Sequence, residues 1–335
     1  MKVAIITLFG YFNYGNRLQN LAMQEILKSS GCEVETLKFF PTSIPKKLDK
    51  LSISKRKNIK RWSIKNIKER YIPIENKKTI INEYDYFCIG SDQIFNPKAK
   101  LIFKLNFLDF IPSNKKFTFA ASFGRTIIKK DIINKYKNGL KSFESKRLSV
   151  RENEGKELIK KLVNKNCYVH LDPALIFNKW DNFIDKKIII SQKKYLLTYF
   201  LGEIPEQKRY FIENIAKWCN LEIIELNNIK FRRMYTINPS EFLFLINKAS
   251  LIFTNSYHGV LFSIVFKKQF VFIETRPKMK SRLDTLFSIF DLNDRKFENI
   301  NMDDLFNINY SKLKPILDDG INNALNYLYL NINNK

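Results

Sequence analysis

Histidine is almost missing from this sequence: 335 residues hold only two, His170 and His258. The four cysteines, Cys32, Cys88, Cys167 and Cys219, lie far apart with no CxxC pair and no histidine at metal-ligand spacing. The expectation is therefore no metal, no disulfide framework and a reducing cytoplasm. Glycine is scarce as well, and neither GxGxxG nor GxxxxGK[ST] occurs, so dinucleotide and P-loop binding have no support. No apolar run approaches the roughly 18 residues of a membrane span. The opening MKVAIITLFGYF has one early lysine and no small-residue cleavage site, so it reads as a first strand rather than a signal.

Carboxylates are also short, 33 against 58 Lys and Arg, for a formal charge of +25. Such an excess points to nucleic acid, an anionic membrane surface or anionic substrates. A sequence rich in Lys, Asn, Ile, Phe and Tyr reaches part of it by composition alone. The rest is uneven: Lys46 to Arg70 holds eleven cations against Asp49 and Glu69. Leu48, Leu51, Ile59, Trp62 and Ile67 fall at rough helical spacing inside it. The segment reads either as a solvated helical face or as a basic amphipathic helix that touches an anionic membrane through residues 46–70.

What is present is an alternation of strands and helices, with 45% hydrophobic residues and length for two domains. Lys2 to Leu8 reads as a strand, Asn13 to Asn16 as a turn, the stretch up to Gly31 as a helix and Glu33 to Phe40 as a strand, which makes an opening βαβ unit. Tyr84 to Ile89 ends in Gly90-Ser91-Asp92-Gln93, where Asp92 and Asn96 suit sugar hydroxyls or serve as plain turn formers. Phe117 to Ser122 leads to Phe123-Gly124-Arg125. Leu148 to Arg151 ends in an arginine that needs a carboxylate or an anionic ligand. His170, in the short strand Cys167 to Leu171, reads as a packed histidine. Trp180 to Gln192 is the best boundary, and a second alternation begins at Tyr195. The architecture expected from this pattern is α/β, with two Rossmann-like doubly wound domains and an inter-domain cleft.

Chemistry is most expected at Asn255-Ser256-Tyr257-His258-Gly259. Leu251 to Thr254 reads as a buried strand and Val260 to Phe266 as a core helix, so His258 sits where a strand ends and a helix begins. That is where open α/β sheets bind ligands and where free helix N–H groups favour anions. Ser256 suits a helix cap, and Gly259 lets a ligand approach the backbone. Read locally, His258 is as well explained by a bond to a loop carbonyl.

Taken as an ordered set, these segments resemble the polysaccharide pyruvyl transferase family. The resemblance rests on Asn13-Tyr14-Gly15-Asn16-Arg17-Leu18-Gln19, Gly90-Ser91-Asp92-Gln93, Ala121-Ser122-Phe123-Gly124, Ser149-Val150-Arg151-Glu152, Asp172-Pro173, Ser256-Tyr257-His258-Gly259 and Ser281-Arg282-Leu283, followed by Leu292-Asn293-Asp294-Arg295. Phe95 departs from the tryptophan common at its place, and the basic segment has no counterpart. The resemblance implies a GT-B-like fold, with domains over 1–185 and 186–310 and a C-terminal helix over 311–335 crossing back to the first. It implies transfer of pyruvate from phosphoenolpyruvate to two hydroxyls of a sugar in a surface polysaccharide or its lipid-linked precursor, with no cofactor. Arg151 and His258 would be the functional pair, facing each other across the cleft. Asn13, Gly15, Asn16, Asp92, Asn96, Ser122, Asn255, Ser256, Tyr257, Gly259, Arg282 and Arg295 would bind substrate. A glycosyltransferase using a nucleotide sugar and a nucleic-acid-binding protein are the alternatives, the second less expected.

Overall fold

The structure, a computed structural model, describes residues 1–39, 49–97, 105–124, 128–185, 193–275 and 281–333. Arg125 and the Lys46-Lys47 end of the basic segment lie outside them.

The first half lays down β1 (Lys2–Ile6), α1 (Tyr14–Ser29), β2 (Glu33–Lys38), α2 (Lys50–Asn66), β3 (Glu69–Tyr71), β4 (Tyr86–Gly90) and β5 (Lys116–Phe119). Their five strands pair in parallel in the order β3-β2-β1-β4-β5. Next come α3 (Ile133–Lys141), β6 (Ser149–Val150), α4 (Asn153–Val163), β7 (Tyr168–Val169) and the single-turn α5 (Pro173–Ile176). A bridge between Ala121 and Val150 carries the β6-β7 pair onto the edge beyond β5. Every one of these parallel strands points its carboxyl end to the same side, which is why the loops after β1, β4, β6 and β7 meet.

The second half repeats the plan with β8 (Tyr195–Tyr199), α6 (Glu206–Trp218), β9 (Glu222–Leu226), the short α7 (Arg232–Tyr235), α8 (Pro239–Lys248), β10 (Leu251–Thr254), α9 (Tyr257–Val265), β11 (Gln269–Phe272), α10 (Ser281–Phe290) and α11 (Tyr310–Asn333). Its sheet is parallel too, in the order β11-β10-β8-β9. α8 starts on a capping box: the Asn238 side chain accepts from the Glu241 N–H, and the Glu241 carboxylate accepts from the Asn238 N–H.

Aromatic packing joins the halves. Tyr14 at the start of α1 stacks on Phe242 of α8 at 4.9 Å, and Trp180 meets Phe262 of α9 edge-on at 5.0 Å. Burying side chains of this size stabilises the junction by roughly 1.5–3 kcal/mol each. α11 then runs from the second sheet to the first: the Tyr310 hydroxyl donates to Ser263 O at one end, while the Tyr327 hydroxyl donates to Thr118 O and Asn331 O accepts from Arg147 at the other.

The basic segment departs from the expectation in extent and on one face, while its outer cations stay exposed. α2 stops at Asn66, and Glu69–Tyr71 continues as an edge strand against Thr36–Lys38. Trp62 is no interfacial anchor, because its ring is buried and its Nε1–H donates to Ser240 Oγ in the second half at 2.7 Å. Lys55 is buried as well, held between the Tyr14 and Tyr235 rings and bonded to Asn227. Burial pulls its pKa down to about 8. This side of α2 is a strap between the two sheets.

His170 packs where expected, stacked between Phe119 and Tyr168, with Nδ1 at 2.8 Å from Ser149 Oγ. Burial lowers its pKa to about 4, against an ordinary value near 6.5. Folding therefore favours the neutral ring. That contribution is complete above about pH 6.5 and is lost as the pH falls toward 4, up to about 3 kcal/mol at 1.36 kcal/mol per unit. Chemical denaturation of wild type and His170→Gln between pH 7 and 4 should show the variant losing less stability over that range. Parallel curves would show that the ring does not titrate this way.

Candidate functional site

Six chain segments converge between the sheets. The N-terminus of α1 brings Asn13, whose side chain caps the helix at Asn16 N–H, and the end of β4 brings Ser91 and Asp92. β6 ends at Arg151 and β7 leads to Asp172, which caps α5 through Ala174 N–H. From the second half come the Ser256-capped start of α9 and the first turn of α10 with Arg282. The leading N–H groups of a helix have no intrahelical acceptor, so α1 and α9 both turn positive ends toward this space.

At the bottom lies a buried charge cluster. Arg151 reaches Asp172 Oδ2 at 2.5 Å with one nitrogen and Asp92 Oδ1 at 2.9 Å with another. Ser91 Oγ donates to the same Asp172 oxygen, and Asn16 Nδ2 donates to Asp92 Oδ2 at 3.0 Å. Burial opposes ionisation of Asp92, but the pull of Arg151, then of His258, the Asn16 hydrogen bond and Arg282 outweighs it, holding the carboxyl well below its usual range. Glu152 goes the other way: burial pushes its pKa up, against the pull of Arg151 and Arg282. One Glu152 oxygen gathers Ser122 Oγ and Phe123 N–H, fixing the turn after β5.

His258 stands over this cluster. Its Nε2 is buried, has no hydrogen-bond partner and lies 4.0 Å from Asp172 Oδ2. Burial lowers its pKa, and Asp172 and Asp92 restore only part of the loss, so the ring is neutral at neutral pH. Gly15 makes this placement possible, since a β-carbon there would lie 2.1 Å from the imidazole Cγ.

Above the histidine opens a cavity of about 170 Å³ lined by Asn13, Asp92, Gln93, Ser256, Tyr257, His258 and Arg282, with Leu201, Asn255, Phe272, Glu274, Thr275 and Leu283 around them. Arg282 is its cation. It is buried yet has no carboxylate within 4 Å among the described residues, and its Nε has no partner. With the Gln93 amide turned so that its oxygen faces the guanidinium, both terminal nitrogens lie 3.3 Å from that oxygen. The Tyr257 ring carries Arg151 at 4.5 Å and Arg282 at 5.3 Å, keeping two like charges in place by cation–π attraction.

The sequence-based site is thus partly redrawn. Asn13, Asp92, Asn255, Ser256, Tyr257, His258 and Arg282 line the cavity. Arg151 does not: its guanidinium is spent on Asp92 and Asp172 beneath, so it does not face the gap across from His258. Asn16 and Ser122 bond to Asp92 and Glu152 in the supporting layer. Asn96 contacts the Gln93 amide and does not line the cavity. Gly259 admits no ligand to the backbone; its missing β-carbon makes room for Thr254 Oγ1, which would otherwise be 2.4 Å away. Arg295 is buried elsewhere, bonded to Asp294 and Asp304 O. Sequence reasoning passed over Asp172, Gln93 and Thr275. The Asp-Pro pair entered only as one of the segments that carry the resemblance, and the chain after β11 offered no motif beyond its place at a strand's carboxyl end.

The profile of the polysaccharide pyruvyl transferase family matches residues 13–277, most of the chain. The chain belongs to that family. The match begins at the α1 cap and ends just short of Arg282. No curated protein matches the sequence. Among solved structures, Staphylococcus aureus MnaA in complex with UDP superposes with a TM-score of 0.54 at 12% identity, covering 99% of this chain and 97% of that one. Neisseria meningitidis UDP-GlcNAc 2-epimerase bound to UDP-GlcNAc gives 0.50 at 11%, covering 99% of each chain. At such identities the likeness concerns the fold, and that fold is GT-B-like. A pyruvyl transferase family member is here built on two parallel sheets with its polar cavity between them.

Two substitutions separate the layers. Gly15→Ala should move the imidazole and cost roughly 1–3 kcal/mol of stability through overpacking, while lowering turnover by about a hundred-fold or more. Near-wild-type turnover would show that the ring has room to spare. Arg151→Met leaves two buried carboxylates without their cation and should cost about 3–5 kcal/mol in urea unfolding at pH 7. A variant as stable as wild type would remove Arg151 from its supporting role.

Proposed function

We propose that this protein transfers the pyruvyl group of phosphoenolpyruvate to two hydroxyls of a sugar, leaving a cyclic pyruvate ketal and inorganic phosphate. The observation that carries the proposal is the pairing of a buried guanidinium without a carboxylate, Arg282, with a neutral, unpartnered imidazole nitrogen on His258 in one small polar cavity. The first suits a compact anion bound in bidentate fashion, and the second suits a proton acceptor. Family membership supports a transferase; the donor and the ketal are our reading.

The reaction consumes two hydroxyl protons. One ends on the methylene carbon, which becomes the methyl group, and the other leaves with the phosphate as the bond from C2 to the bridging oxygen breaks. Two new C2–O bonds to the sugar replace the double bond and the phosphate ester. In this scheme Arg282 and the positive ends of α1 and α9 hold the donor's negative groups. His258 Nε2 takes a hydroxyl proton as the sugar oxygen attacks, and the imidazolium so formed is stabilised by Asp172 at 4.0 Å. A positioned base of this kind contributes about 10²–10⁴-fold. Asn13, Ser256 and Thr275 offer the sugar hydroxyls partners on the cavity wall.

The test is acceptor-dependent release of phosphate from phosphoenolpyruvate across a panel of sugars and lipid-linked sugars, alongside nucleotide release from sugar nucleotides. Phosphate release is expected, and nucleotide release in its place would turn the assignment to glycosyl transfer. His258→Gln should lower kcat at least about a hundred-fold with little change in donor KM, whereas Arg282→Gln should mainly raise donor KM. Because the base must be neutral and its pKa is lowered by burial, kcat/KM should fall only as the pH drops below the ordinary histidine value of about 6.5. An acid limb centred above that value, and unchanged in the glutamine variant, would take the role away from His258.

A further inference from the structure

The structure assigns to this protein a docking face for an anionic lipid bilayer, built from the outer side of α2 and the chain segment 228–233. The two belong together. Asn58 of α2 donates to Thr236 O at 2.7 Å, and the hydroxyls of Ser52 and Tyr235 are 2.8 Å apart, so the loop that leads into α7 lies along the helix.

Neither element carries a carboxylate: Lys50–Asn66 and residues 228–236 contain none. Lys57, Lys60, Arg61 and Lys65 project from α2 into solvent. Lys230, Arg232 and Arg233 project from the loop and α7, and none of the seven forms an ion pair among the described residues. Exposed cations without an ion pair occur elsewhere too, as Lys160 and Lys161 do on α4, but there Glu154 and Glu157 share the helix. Set among the unmatched cations are exposed apolar side chains: Ile64 at 67%, Ile229 at 45% and Phe231 at 48% exposure. Phe12, at 62%, lies under Arg56 of the same helix and precedes Asn13 on the cavity wall.

Unpaired cations ringing exposed apolar residues match a surface that is negative outside and hydrocarbon just beneath. Nucleic acid would use the cations and the two phenylalanines, but it gives Ile64 and Ile229 nothing to do, since base stacking needs rings. The occupant is therefore a bilayer. Trp62 and Lys55, which the sequence offered for this purpose, face the protein interior instead. The inference deepens the proposed function, in that a cavity mouth beside a lipid surface suits a lipid-linked acceptor. It is tested without any substrate, so its failure and that of the pyruvyl-transfer reading are separable.

The experiment is sedimentation with phosphatidylcholine vesicles, with or without phosphatidylglycerol, at low and physiological salt. Four proteins are compared: wild type, Lys230→Gln/Arg232→Gln/Arg233→Gln, Ile229→Ser/Phe231→Ser, and Lys156→Gln/Lys160→Gln/Lys161→Gln on α4 at the opposite edge of the first sheet. Wild type should bind anionic vesicles only. Each cation contributes roughly five-fold, so the loop triple variant should bind on the order of a hundred-fold more weakly. The serine variant should lose the binding that survives physiological salt, because screening leaves the apolar contribution untouched. The α4 variant should behave as wild type. Equal binding by the loop triple variant, or an equal loss in the α4 variant, would overturn the assignment. So would unchanged vesicle binding by the serine variant together with salt-sensitive retention of single-stranded RNA.

Discussion

One buried guanidinium sets the terms for the rest of the site. Arg151 neutralises two carboxylates that arrive on different loops, Asp92 after β4 and Asp172 after β7. Taking three charges out of water costs several kcal/mol per ion, and such clusters seldom add net stability. What this one contributes is position. It ties the carboxyl ends of two strands to a third, and Asn16 and Ser91 complete it from α1 and β4. Loops that would otherwise move independently become a floor on which His258 rests.

Above that floor, two polar groups are left without partners at a cost the fold absorbs elsewhere. The Nε2 of His258 and the Nε of Arg282 are both buried and unsatisfied. An orphaned buried polar atom costs about 1–3 kcal/mol, so a pair of them in one cavity marks a place kept for a ligand. The site spans both sheets, since Asp172 and Asp92 belong to the first half and His258 and Arg282 to the second. Its geometry therefore depends on the contacts that hold the halves together: the Tyr14–Phe242 stack, the Trp62–Ser240 bond and the reach of α11 back to Thr118.

Much of the fold was legible because parallel α/β architecture writes itself as buried apolar runs alternating with amphipathic stretches. Leu251–Thr254 could be placed to the residue, and the following helix was found but begins at Tyr257, three residues before Val260. Edge elements were harder. Glu69–Tyr71 is a three-residue strand in a basic stretch, and nothing local distinguishes it from the end of a helix. The site was legible in membership more than in layering. The strand-end rule put Asp92, Arg151 and His258 in one region, but whether an arginine faces a cavity or pays for two buried acids depends on which carboxylates the fold brings to it. The glycines misled for a similar reason. A glycine at a strand–helix junction signals close approach, and only coordinates reveal that the approaching group is an imidazole for Gly15 and a threonine for Gly259.

The central claim is that Arg282 and His258 receive the ligand while Arg151 stays engaged beneath them. A crystal structure of the protein soaked with phosphoenolpyruvate tests it most directly. The account predicts an anionic oxygen of the ligand within hydrogen-bonding distance of Arg282, the donor carbon beside His258, and both salt bridges of Arg151 intact. A ligand seated on Arg151 with Asp92 or Asp172 displaced, or bound away from His258 altogether, would contradict it.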